Sequence, residues 1–151
     1  MVEKLQYTMQ NVIALAEIEK ECFGRDAWSI SALRGEFSND FSHFFAEVRN
    51  GEIVGYVCVR IMYEEAQVCN IAVLPNFRRR GIATELIKEC MAFCVEKQCL
   101  RAELEVNTEN LPAVELYQKC GFEVAGTRKN FYRRSRYKTR DAYTMVLELQ
   151  K

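Results

Sequence analysis

One stretch of this 151-residue chain has residue types and a spacing suited to holding a phosphate. It reads Asn70-Ile71-Ala72-Val73-Leu74-Pro75-Asn76-Phe77-Arg78-Arg79-Arg80-Gly81-Ile82-Ala83-Thr84. A strand-like run stops at Pro75, three arginines follow, and a helical pattern starts after Gly81. The first backbone N–H groups of a helix have no intrahelical partner and point outward. The helix dipole adds partial positive charge at the same place. Gly81 lets an anion approach the backbone, Ala83 keeps the turn open, and Arg78, Arg79 and Arg80 raise the local potential. Residues 78–84 therefore read as a pyrophosphate cradle. A basic turn before a helix marks a solvated surface more often than a ligand site, so this spacing alone does not name a ligand. Two commoner phosphate loops are excluded: there is no G-x-x-x-x-G-K-[ST], and the first glycine of G-x-G-x-x-G is missing.

The elements that must position this turn follow from hydrophobic period and chain breakers. Lys4–Thr8 reads as a short strand. A helical pattern begins at Asn11, with Val12, Leu15, Ala16, Ile18 and Cys22 on one side, and ends before Gly24. Ser29 suits the N-cap of a short helix through Phe37. Phe44–Arg49 and Ile53–Met62 alternate as strands around Asn50-Gly51, a strong hairpin signal. Gln67–Leu74 is a further strand. Ile82, Ala83, Leu86, Ile87, Cys90, Met91 and Cys94 recur at helical spacing. Leu100, Ala102, Leu104 and Val106 then alternate with Arg101, Glu103 and Glu105 as a strand. Asn110–Lys119 is helical, with Pro112 in its first turn and Gly121 as its stop. Phe122–Thr127 and Tyr143–Leu149 are the last strands. The order β-α-α-β-β-β-α-β-α-β-β combines hairpins with one strand–helix–strand crossover. It predicts a mixed sheet with helices on its faces, an α/β arrangement.

The bulk properties narrow the function. The length predicts one domain over residues 1–151, able to bury about 68–70% of its unfolded surface. Hydrophobic residues make up 49% and charged residues 28%, as in ordinary globular proteins. Lys+Arg and Asp+Glu balance at 21 each, which argues against a general nucleic-acid binder. The seven cysteines include no C-x-x-C pair, so they read as reduced core thiols and no metal site is expected. His43 is the single histidine and reads as structural. No leader pattern and no membrane-length apolar run is present, so a cytoplasmic location is expected.

The basic turn resembles the acetyl-CoA signature of the GNAT superfamily, Arg/Gln-x-x-Gly-x-Gly/Ala, here Arg78-Arg79-Arg80-Gly81-Ile82-Ala83. A second block looks like the same family: Leu104-Glu105-Val106-Asn107 as a strand end, Asn110-Leu111-Pro112-Ala113 entering a helix, and Leu116-Tyr117 before Gly121-Phe122. The resemblance covers nearly the whole chain in element order and is densest from Asn70 to Phe122. Asn70-Ile71-Ala72-Val73, Trp28-Ser29 and Asn130-Phe131-Tyr132 look most like the RimI-type branch, which acetylates ribosomal-protein N-terminal alanines. Ala27 stands where that branch tends to carry proline.

The resemblance implies a mostly antiparallel sheet with a central parallel pair splayed at the acetyl-CoA site. It implies that Ile71, Ala72 and Val73 meet the pantetheine arm, that residues 78–84, Thr84 included, take the pyrophosphate, and that Asn110 bonds the cofactor. Asn110 also suits a plain helix N-cap. Glu105 is the implied base, against a reading as a solvated strand carboxylate. Tyr117 is the implied acid for the departing thiolate, against a reading as core. The oxyanion is expected to meet a backbone N–H near a bulge at Val73. Trp28, Tyr132 and Tyr137 are expected to wall the acceptor, a protein N-terminus such as that of a ribosomal protein. The basic run 128–140 suits a solvated loop or an acidic peptide, and RNA is not expected. A polyamine or amino-sugar acetyltransferase on the same fold is the alternative. A cofactor-binding module without turnover is a further one, and intact Glu105 and Tyr117 argue against it.

Overall fold

A computed structural model describes residues 1–150. Its seven strands form one sheet: β1 (Val2–Leu5), β2 (Ser42–Arg49), β3 (Glu52–Met62), β4 (Glu65–Val73), β5 (Arg101–Asn107), β6 (Glu123–Arg128) and β7 (Ala142–Glu148). The spatial order is β1-β2-β3-β4-β5-β7-β6. Every pairing is antiparallel except β4 with β5. Four helices complete the fold: α1 (Met9–Phe23), α2 (Ile30–Phe37), α3 (Ile82–Glu96) and α4 (Leu111–Lys119). Element order and sheet type match the sequence expectation. Among the described residues, no helix is long and apolar enough to cross a membrane.

The sheet separates two apolar clusters. On one face, Leu86, Cys90 and Cys94 of α3 and Val114 and Tyr117 of α4 pack on Val57, Val68, Leu104 and Met145. On the other, Val12, Leu15 and Ile18 of α1 and Leu33 of α2 pack on Phe44, Tyr56, Cys58 and Ala72. Each helix stripe that the period predicted packs into these clusters, with Ala16 and Ala83 half-buried at their edges. Five of the cysteines are buried, and all seven are free.

Several boundaries differ from the sequence reading. The first strand is Val2–Leu5, not Lys4–Thr8, because Thr8 is taken as the N-cap of α1 and accepts from Asn11 N–H. β4 begins at Glu65, since Tyr63 takes a left-handed φ of 58° and closes a tight turn from β3. Asn50 (φ 52°) and Gly51 (φ 78°) make the expected hairpin between β2 and β3. Leu100 lies outside β5 and is exposed, while Ala102, Leu104 and Val106 are buried as the alternation required.

The parallel pair decides where a site can form. β4 and β5 are paired only at Glu65–Arg101, Ala66–Ala102 and Gln67–Glu103. Beyond this, β4 stays with β3 as far as Val73, and β5 stays with β7 as far as Asn107. The two strands therefore diverge in mid-sheet. The divergence starts at a bulge: Val68 faces Val59 and Asn70 faces Cys58, leaving Cys69 as the extra residue. An extra residue bends its strand and reverses which face later side chains point to. Ala66 and Val68 belong to the α3 cluster, whereas Ala72 belongs to the α1 cluster. The expected bulge beside Val73 is thus corrected to Cys69, and Val73 pairs regularly with Gly55.

Candidate active site

The gap between β4 and β5 is a cleft of about 740 Å³. Ile71, Asn70 and Cys69 line it from β4, and Leu104, Glu105, Val106 and Asn107 from β5. Asn110, Ala113 and Tyr117 close it from the α4 side, and Trp28, Tyr132 and Tyr137 from the α1 side. Strand alternation explains this division. Leu104 and Val106 point into the α3–α4 cluster, so Glu105 between them faces the α1–α2 side.

Glu105 is held firmly. Its Oε2 accepts from the Thr144 hydroxyl at 2.5 Å and lies 3.7 Å from Arg128 Nε. Tyr117 is buried and meets Phe122 edge-on with ring centroids 6.1 Å apart. Burial, with the nearby Tyr132 and Cys120, pushes its phenol well above the ordinary value. Tyr132 is pushed up to about 12, first by burial and then by the Glu105 charge. Both phenols are therefore protonated at neutral pH.

The α3 entry lies at the far end of β4. Pro75–Phe77 forms one 3₁₀ turn, and Arg79 (φ 62°) and Gly81 (φ 79°) are both left-handed. Such reversals turn successive N–H groups into one concavity. Nothing lies within 4 Å of a Cβ added at Gly81. The N-caps of α1, α2 and α4 are Thr8, Ser29 and Asn110, and each accepts a backbone N–H through its side chain. The α3 N-terminus has no side-chain cap. Its donors remain open to an anion, which fits a pyrophosphate.

The arginines differ among themselves. Arg78 Nε donates to Val73 O at 3.0 Å, so this side chain braces the turn. Arg80 lies over the Phe77 ring at 5.2 Å, and Arg79 is exposed. Ile82 is buried in the α3 cluster, which leaves its backbone N–H as its one available group. Ala83 and Thr84 are half-buried in the first turn of α3. Ala72 and Val73 are buried, and of the three β4 positions only Ile71 lines the cleft. Asn110 Oδ1 accepts from Ala113 N–H at 3.4 Å, so its helix-cap role is present at the cleft wall.

The basic run folds over the α1 side of the cleft. Arg136 Nη2 donates to Cys22 O at 3.2 Å, and its guanidinium lies over the Phe23 ring. Asn107 is buried and donates to Ser135 Oγ and Thr139 O, both at 3.0 Å, tying the end of β5 to this loop. Arg134 lines the cleft and Arg133 is exposed. His43 packs against Phe93, and burial together with Lys4 and Lys97 lowers its pKa.

Four features went unread in the sequence. Asn107 is the first. A second is Glu19, a fully buried carboxylate bonded to Trp28, Tyr56 and Asn70. It falls on the α1 stripe between Leu15 and Cys22, and an acid on an apolar face was the available signal. The third is Arg60, which donates twice to Glu36 at 2.7 Å beside the cleft. The fourth is a trio whose ligand atoms lie within 4.8 Å of one another: Glu36, Cys58 and Cys69. Arg60 already occupies both oxygens of that carboxylate.

The acetyltransferase (GNAT) family profile matches residues 12–122. The N-alpha-acetyltransferase RimI of Mycobacterium tuberculosis is 34% identical over 135 residues, covering 86% of this chain and 82% of its own length. The ribosomal protein bS18-alanine N-acetyltransferase of Escherichia coli is 30% identical over 88 residues, covering 58% of this chain and 60% of its own. In fold, the crystal structure of the ribosomal-protein-S18-alanine N-acetyltransferase from Escherichia coli superimposes with a TM-score of 0.89 at 24% identity, over 100% of this chain and 96% of that one. The matched span takes in both diverging strands, the uncapped α3 entry, Glu105 and Tyr117, and the chain belongs to the GNAT family of N-acetyltransferases.

Proposed function

We propose that the protein transfers the acetyl group of acetyl-CoA to the α-amine of a protein N-terminus, with a ribosomal protein as its acceptor. The observation that carries this reading is the cleft between β4 and β5. Glu105 enters it from one face of the sheet and Tyr117 from the other. Similarity to N-alpha-acetyltransferases, among them one that acts on ribosomal protein bS18, supports the acceptor class.

Acetyl-CoA supplies an activated thioester. The open α3 N–H groups, Arg79 and Arg80 would hold its pyrophosphate, Ile71 on the cleft wall its pantetheine arm, and Asn110 would add a polar contact. An α-amine has a pKa of about 7.7–8.0, so a useful share is neutral at physiological pH. Glu105 takes the proton released on attack, directly or through water, while Thr144 and Arg128 keep its carboxylate aimed. Tyr117, held protonated, donates a hydrogen bond to the sulfur as charge develops there. Among the described residues lining the cleft, no serine or cysteine is hydrogen-bonded to a histidine or a carboxylate, which favours direct attack in a ternary complex. Trp28, Tyr132 and Tyr137 wall the acceptor slot as rigid surfaces.

The test is acetylation of two peptides of one sequence, one with a free alanine N-terminus and one N-blocked with an exposed lysine. Faster acetylation of the free N-terminus is expected. A preference for the lysine peptide, or for a polyamine over both, overturns the acceptor assignment.

A further inference from the structure

The chemistry above leaves Glu19 unused. This carboxylate is fully buried and accepts hydrogen bonds from three separate segments. Trp28 N–H donates to Oε1 at 2.8 Å; the Tyr56 hydroxyl at 2.7 Å and Asn70 Nδ2 at 2.6 Å donate to Oε2. Asn70 Nδ2 also lies 3.1 Å from the Tyr56 oxygen, and Tyr56 is itself fully buried. Burial raises the Glu19 pKa and the three hydrogen bonds oppose that rise. An apolar residue of similar volume is often no worse for stability than a buried charge. What the carboxylate holds in place is therefore informative.

Two of its three partners, Trp28 and Asn70, line the cleft. The bulge at Cys69 turns Asn70 toward α1 and brings it to Glu19. A carboxylate only accepts, so the amide nitrogen of Asn70 must face it. That fixes the flip of the carboxamide. Its oxygen lies on the other side, receives Ile71 N–H at 3.2 Å and keeps a spare lone pair. An incoming primary amine has N–H groups to donate. An oxygen in the cleft wall can hold one of them while the nitrogen lone pair stays free to attack. The opposite flip would present N–H groups to N–H groups.

We propose that Glu19 is a positioning residue of the acceptor site: it fixes Asn70 with its carbonyl oxygen offered to the attacking amine, and it anchors the Trp28 backbone at the opposite wall. This inference rests on the reading of the cleft as an amine-acceptor site. Glu19 touches neither substrate. It acts through Asn70 and Trp28, and its removal should be felt in acceptor recognition before cofactor binding.

The experiment compares the parent with Glu19→Gln, Asn70→Ala and the double variant, using the free-alanine peptide and acetyl-CoA. Glutamine is near-isosteric with glutamate and can satisfy Asn70 in either flip, so it releases the constraint without opening a cavity. Each single variant is expected to raise the peptide KM roughly tenfold, the size of one lost hydrogen bond. The expected fall in kcat is smaller, and the acetyl-CoA-induced rise in Tm should match the parent's. The double variant should be little worse than Asn70→Ala, because both changes remove one interaction. A Glu19→Gln protein with the parent's peptide KM, whatever its Tm, overturns the inference, and so do strictly additive losses. Asn70→Ala gives a reading independent of how α1 tolerates its change. A parent that acetylates a small amine and not the peptide overturns the functional reading instead, and the same variant-to-parent ratios taken with that amine then decide the inference.

Discussion

The two sides of the cleft are built in opposite ways. The α3 entry is local: Val73 to Thr84 supplies the strand end, the turn, the brace of Arg78 on Val73 and the uncapped helix start. The side proposed to take the acceptor is assembled from distant segments. Glu19, Trp28, Asn70, Glu105 and Tyr132 come from five parts of the chain and meet only when α1 and the 129–141 loop close on the sheet. The contrast teaches that the side proposed for the cofactor is one contiguous motif, while the side proposed for the acceptor depends on packing. Damage to the first should abolish binding of one ligand, and damage to the second should reshape specificity.

The strongest test of this contrast is Gly81→Glu. A like charge about 4 Å from a phosphate costs ~4 kcal/mol at an effective dielectric of 20. Solvent at the entry lessens this, so a loss of acetyl-CoA affinity of about 100-fold is expected, read as a vanished ligand-induced Tm shift. Gly81→Ala meets open space and strains only the left-handed φ, at about 1–2 kcal/mol of stability. Its acetyl-CoA affinity should remain near the parent's. Equal binding by parent and Gly81→Glu breaks the assignment of the cradle.

Next in size are Glu105→Gln and Tyr117→Phe. General acid–base groups contribute about 10²–10⁴-fold, and water can substitute partly at an open cleft, so about 100-fold lower kcat is expected for each. Acetyl-CoA affinity should stay within about threefold, which separates chemistry from cradle. Parent-like turnover in both variants from pH 6 to 9 removes the two residues from the mechanism.

The pH profile sharpens the same point. Activity should rise through about pH 8 as the acceptor amine loses its proton. The phenols of Tyr117 and Tyr132 are both raised, the latter to about 12, so the acid stays protonated well above neutrality. No alkaline fall is expected below about pH 10, the ordinary phenol value. A falling limb below pH 10 that disappears in Tyr117→Phe contradicts the environment described for that residue.

The smallest effect concerns the wall near Arg60. Its guanidinium holds the Glu36 carboxyl below the ordinary carboxylate range, with the Ser42 hydroxyl assisting. A depressed folded pKa stabilises above the unfolded value of about 4.3 and loses that benefit as pH falls through the lower folded value. Arg60 is 43% exposed, which limits the pair to about 1–2 kcal/mol. Arg60→Met should therefore lower stability at pH 7 by about that amount, and the gap to the parent should close toward pH 3. A gap that does not depend on pH means that packing of the arginine stem matters more than its ion pair.

By itself the sequence determined the element order, the mixed sheet and the α3 entry, because each depends on neighbours within a few residues. A period of two or of 3.6 sets which face is buried, and Pro75 and Gly81 set where β4 ends and α3 begins. Glu105 and Tyr117 were singled out through a family pattern and both line the cleft, but their partners Thr144, Arg128 and Phe122 were not read. Only the tertiary structure decided where the sheet opens. The bulge at Cys69 is a mismatch of register between β3 and β4, a relation between two strands that neither strand encodes alone. That single extra residue turns Asn70 toward α1, and a buried acid that looked like a flaw in an apolar stripe becomes the group that bonds both Trp28 and Asn70 on the cleft wall.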